Sequence, residues 1–216
     1  MRRERLGGLA MIAGVMMGLV TMALHPTGHD VARDMATQGA LAMAVHALAI
    51  ASAPVALFGA LMLTRVLAED GPLARGSLAE LALAFQALAA IATFMAATAS
   101  GLLAPELIAN AMTAQGDERV MAAAVLRYNG ALNQAFARVL VGASSVAIAL
   151  WSVEMLRTRR LGRGTAVYGL VAALVTLALL LSGNLRLDVH GFGAVVLAHG
   201  VWTVLAGVSL MRESRR

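Results

Sequence analysis

Residues 185–207 read LRLDVHGFGAVVLAHGVWTVLAG. Arg186, Asp188 and His190 crowd the start, and an apolar run follows in which Gly193, Gly200 and Gly207 recur every seven residues. Seven residues is close to two helical turns, so the three glycines fall on nearly one face. In lipid, small residues in such register let two helix backbones approach closely, and packing then holds the helices together. His199 stands beside that seam, well inside the apolar run. An ionisable side chain at this depth is costly, which makes it a functional candidate by default. The stretch reads as a membrane span that packs through its glycines and carries one polar group.

The rest of the chain repeats the pattern. Of its 216 residues 60% are apolar and only 13% charged, about half the charge of an ordinary soluble domain. Apolar runs at about 6–24, 39–63, 78–103, 132–155, 165–181 and 191–210 are separated by Arg-, Asp-, Gly- and Pro-containing segments. Runs of about 20 residues match a hydrocarbon layer of ~30 Å. The expected fold is all-α: a polytopic transmembrane bundle of six spans, forming a single domain over 1–216. Pro54 lies inside the second run, where a missing N–H kinks a helix. Gln86, Thr93 and Ser100 in the third are again seven apart, a polar seam expected to face other helices. Residues 109–128 are less apolar and read as a loop with a short interfacial helix.

Charge bounds the setting. The net charge of +5 could suggest nucleic acid, yet no basic patch is interleaved with aromatics, so no nucleic-acid partner is expected and the lipid bilayer is the partner implied. Twelve arginines (Arg2, Arg3, Arg5, Arg65, Arg75, Arg157, Arg159, Arg160, Arg163, Arg212, Arg215, Arg216) fall on the side of the N-terminus, against four on the other (Arg33, Arg119, Arg127, Arg186). By the positive-inside rule both termini are cytoplasmic. All 17 basic residues are arginine and alanine is abundant, a composition bias that points to a GC-rich bacterial genome. With no cysteine, disulfides, thiolate metal sites and cysteine nucleophiles are excluded.

The candidate site lies toward the outer end. His46, Arg138 and His199 each stand seven to nine residues past the outer start of an even-numbered span, which predicts one common depth and one outward-facing polar pocket. Asn133, Gln134 and Asp188 join them as expected ligand-binding residues. Arginine grips carboxylate or phosphate with a planar fork, so a small anionic ligand is the first reading. Alternatives remain open. His46 and His199 could be axial ligands of haem b if they faced each other across the core. A zinc-dependent hydrolase would use His and Asp with a water. Against metal, no His-Glu-x-x-His occurs, and the His25-x-x-x-His29 pair is interrupted by Pro26 and Gly28. No resident cofactor is expected on this reading. An accessory or scaffold subunit without a ligand is the fourth reading.

The blocks LHPTGHD, LNQAFARV with ASSVAIALWS, and LRLDVHGFGAVVLAHGVW resemble a family of short bacterial inner-membrane proteins with six spans. The resemblance implies architecture and compartment and carries no activity.

Overall fold

In lipid an apolar segment must satisfy its backbone internally, and the α-helix does so within one segment. A computed structural model describes residues 3–26, 32–68 and 78–213, and its regular elements are all helical. They are α1 (Arg3–Ala23), α2 (Met35–Ala68), α3 (Leu78–Ala97) continuing through a π-helical turn (Thr98–Leu103) into α4 (Ala104–Thr113), α5 (Gly116–Thr158), α6 (Arg163–Leu181) and α7 (Val189–Glu213). Among the described residues six spans are long and apolar enough to cross a membrane: α1, α2, α3 with α4, α5, α6 and α7. The protein is an integral, multi-pass membrane protein.

The segment at 109–128, expected as a loop with a short interfacial helix, is helix on both sides of a short link. α4 runs to Thr113, and α5 starts at Gly116 and continues unbroken for 43 residues. Polarity interrupts the apolar run there, but Ala, Met, Glu, Arg and Leu remain good helix formers. At 1.5 Å per residue α5 is about 65 Å long, far more than the ~30 Å hydrocarbon layer, so its first turns stand clear of the layer. Val120, Met121 and Tyr128 are all exposed on that stretch.

Each span packs on its neighbours in sequence, and α7 closes the ring on α1. Pairings across the ring are sparse, which leaves space along its axis. The α1–α7 closure is made by backbone. A Cβ on Gly207 would stand 2.8 Å from the Gly8 carbonyl, and one on Gly200 would stand 2.9 Å from Val15 Cγ2. Gly193 meets only the tip of Met22 at 3.8 Å, so two of the three seam glycines make the contact. Gly14 packs on Ala56, whereas Gly18 has nothing within 4 Å.

The end of the bundle that carries both termini holds the densest core, with Leu63, Leu67, Trp151, Met155, Trp202 and Leu210 fully buried. Trp151 and Trp202 stack with centroids 5.9 Å apart, and the Trp151 indole donates to Thr64 Oγ1 at 3.1 Å. Arg160, in the α5–α6 turn, donates to the Val66 carbonyl at 2.7 Å and pairs with Glu213 at 3.1 Å. That carbonyl belongs to the last turn of α2, where no intrahelical partner exists. One guanidinium thereby ties together the ends of α2 and α7.

Candidate functional site

Three cavities that share lining residues follow one another down the bundle, starting at the end opposite the termini. The outermost, about 810 Å³, is lined by Arg119, Arg127, Asn129 and Asn133 of α5 and by Ser100 and Ile108 of the third span. The middle one, about 320 Å³, shares Ser100 and Asn133 with it and adds His25, His46, Thr93, Gln134 and Asp188. The innermost, about 180 Å³, is lined by Gln86, Ser144, His199 and the two stacked tryptophans. Leu140 and Phe192 line both the middle and the innermost cavity and stand between them. The seam of Gln86, Thr93 and Ser100 faces these spaces, as its spacing predicts.

A π turn contributes Ser100 to the wall of the middle cavity. Pro105 has no N–H, so the Gly101 carbonyl loses its ordinary partner and the ladder before it rearranges. The Ala104 N–H reaches back to Ala99, one residue further than in an α-helix. Asn129, buried on α5, donates its amide to the same Ala99 carbonyl at 2.9 Å. Its own Oδ1 is buried with no hydrogen-bond partner. Gly101, in the turn, lies so close under His46 that a Cβ there would overlap the imidazole base. Single π turns of this kind concentrate at functional sites.

His46 is 4% exposed and meets His25. Their Nε2 atoms are 3.1 Å apart. His46 Nδ1 lies 2.6 Å from the Ala42 carbonyl, which can only accept, so Nδ1 carries the proton and Nε2 presents its lone pair. With both rings neutral, His25 Nε2–H is the donor between them. His25 Nδ1 is then a buried acceptor without a partner. Burial pushes His25, just beyond the end of α1, below the ordinary imidazole range.

Of the residues singled out from the sequence, His46, Asn133, Gln134 and Asp188 line one cavity. Gln134 donates to the Leu187 carbonyl at 3.1 Å, and Asp188 Oδ1 accepts from the Gly191 N–H at 2.8 Å. His199 lies in the next cavity inward, its ring nitrogens 3.3 and 3.4 Å from the hydroxyls of Ser144 and Ser145. The common depth expected for His46 and His199 does not hold. Leu187, Asp188 and Phe192 line the cavity of His46, and His199 follows Phe192 by seven residues, about 10 Å further along α7. His46 and His199 therefore do not face each other across one slot, and the haem pairing has no geometry. Arg138 is exposed and lines none of the three cavities. It follows Ala137, which turns inward, by 100° of helical rotation. The arginines that do reach the cavity system are Arg119 and Arg127, from the stretch expected as a loop with a short interfacial helix. His29 and Asp30 fall outside the described residues, and no group of three His, Asp or Glu gathers as a metal site among those described.

The His25–His46 pair and the π turn escape sequence reasoning. His25 reads as a loop residue, and its partner lies 21 residues away on another span. The one local signal is Gly101-x-x-x-Pro105 at the end of an apolar run. Glu154, within the apolar run of α5, is buried as well, 3% exposed with Arg157 3.9 Å away.

Comparison with protein-family models, curated proteins and solved structures gives no match. The resemblance drawn from the sequence blocks is thus reduced to its architecture of six apolar spans, and no family is assigned.

Proposed function

We propose that this protein binds a small anionic solute, a carboxylate or a phosphate, in a polar path that opens at the end of the bundle opposite the termini. One observation carries the reading: the outermost and middle cavities share Ser100 and Asn133, so two arginines lead into a chamber of His46, Asn133, Gln134 and Asp188. Arg119 and Arg127 supply the charge that attracts an anion, and Asn133, common to both spaces, offers an amide donor between them. Asp188 disfavours an anion at its own edge, which directs the solute toward Asn133 and His46. Toward the termini the path is closed by Leu140 and Phe192 and then by the tryptophan stack. The residues form one domain with Arg138 outside the site.

The test is thermal unfolding of the detergent-purified protein with acetate, succinate or inorganic phosphate, against glycerol as a neutral control. A bound anion at a hundred times its Kd stabilises by about 2.7 kcal/mol, which raises Tm by several degrees. Arg127→Ala and Asn133→Leu should each weaken that response about tenfold or more. No response to any anion sinks this reading and leaves the accessory-subunit reading in its place.

The proposed setting is a bacterial inner membrane with both termini in the cytoplasm, supported by twelve arginines against four. Reporter fusions at Arg216 and at Gln115 should then report opposite sides, the latter outside. A cytoplasmic signal at Gln115 would reverse the orientation and with it the side from which solute enters.

A further inference from the structure

The geometry points to a transition-metal site of the imidazole-binding class, such as Zn2+ or Co2+, held by Nε2 of His25 and Nε2 of His46 at the wall of the middle cavity. The two nitrogens are 3.1 Å apart. Two imidazole ligands at 2.0–2.1 Å from one tetrahedral ion stand roughly 3.3 Å apart, so the observed spacing fits a shared ion. A hydrogen bond has similar N···N length, so the choice turns on what lies behind and beside the pair. The ring centroids are 4.7 Å apart with the rings inclined at 67°, so the two rings do not meet head-on.

The second observation is the partner behind His46; to coordinate, His25 moves its proton from Nε2 to Nδ1, a buried nitrogen with no acceptor among the described residues. A metal-bound histidine donates its other ring N–H to a carbonyl or carboxylate, which fixes the tautomer and aims the lone pair. His46 Nδ1–H has that partner in the Ala42 carbonyl at 2.6 Å, and Gly101 pins the ring from below. Two positions of a tetrahedral ion are then filled by protein, and the others open to the cavity shared with Asn133 and Asp188. Water or an anion completes the shell. With two protein donors the ion is held less tightly than in a four-ligand structural site, and it remains reachable by solute.

The measurement is zinc uptake by the full-length protein in detergent after chelation, with no carboxylate or phosphate present, so that the outcome is independent of the anion reading. One equivalent of Zn2+ should bind, and Co2+ should give the visible absorption of a site containing nitrogen ligands. His25→Ala and His46→Ala should each weaken zinc binding about 100-fold or more, while exposed His190→Ala leaves it unchanged. In wild-type protein labelled with 15N at histidine, zinc should shift the ring-nitrogen resonances of two histidines, His25 and His46, a readout that does not depend on how the variants fold. Absence of stoichiometric zinc binding by the wild type, or zinc that moves the resonances of other histidines instead, overturns the site and leaves the pair as an N–H···N hydrogen bond.

Discussion

Gly207→Leu is expected to cost this protein most of its recoverable fold. The α1–α7 contact closes the ring, and at Gly207 it is backbone against backbone: the nearest atom to an added Cβ is the Gly8 carbonyl at 2.8 Å, followed by Ile12 Cγ1 at 3.2 Å. A flexible side chain could swing aside, but a carbonyl locked in a helix cannot. The helices must separate, and every contact along the seam weakens with distance. Overpacking costs typically 1–3 kcal/mol and occasionally more, and a closure without a yielding partner belongs at or above about 3 kcal/mol. Val171→Leu, on the exposed face of α6, changes volume where only lipid lies and should be tolerated. The check is monodisperse yield and Tm of both variants in one detergent. Equal values would mean that α7 does not close on α1 in the folded protein.

Gly101→Val is the second large effect, and it is local. The added Cβ would occupy the place of the His46 side chain, so the imidazole must leave the cavity wall and its contact with His25 is lost. Helical content should stay near wild type, because the spans do not depend on this position. Zinc affinity should fall about 100-fold or more, as for loss of His46 itself. Gly18→Val, where nothing lies within 4 Å, is the matched control and should leave zinc binding alone. Wild-type zinc affinity in Gly101→Val would show that Gly101 does not set the position of His46.

Six spans and their order were legible in the chain because lipid imposes a length and a composition on each segment separately. Hydropathy counts those segments with no knowledge of neighbours, and Gly200 and Gly207 could be read as packing positions from their spacing alone. The same reasoning placed Asn133, Gln134 and Asp188 together with His46, since each sits near the same end of its span. It missed where a helix ends when charged residues continue it into water, as in α5, because a drop in hydropathy marks the edge of the lipid and not the end of the helix.

Rotation and relative level were decided by the tertiary structure. Depth groups Arg138 with the pocket, but depth along an axis carries no angle, and the helix turns Ala137 inward and Arg138 out. Counting from the start of each apolar run levels His199 with His46. That count fails because the segment before α7 already lies at the level of His46, so α7 starts deeper than α2 does. The meeting of His25 with His46 over Gly101 depends on three elements at once: the end of α1, the first turns of α2 and a π turn imposed by Pro105. Each of these residues is an ordinary loop or helix residue in its own segment. Only the packing of the ring turns them into a site.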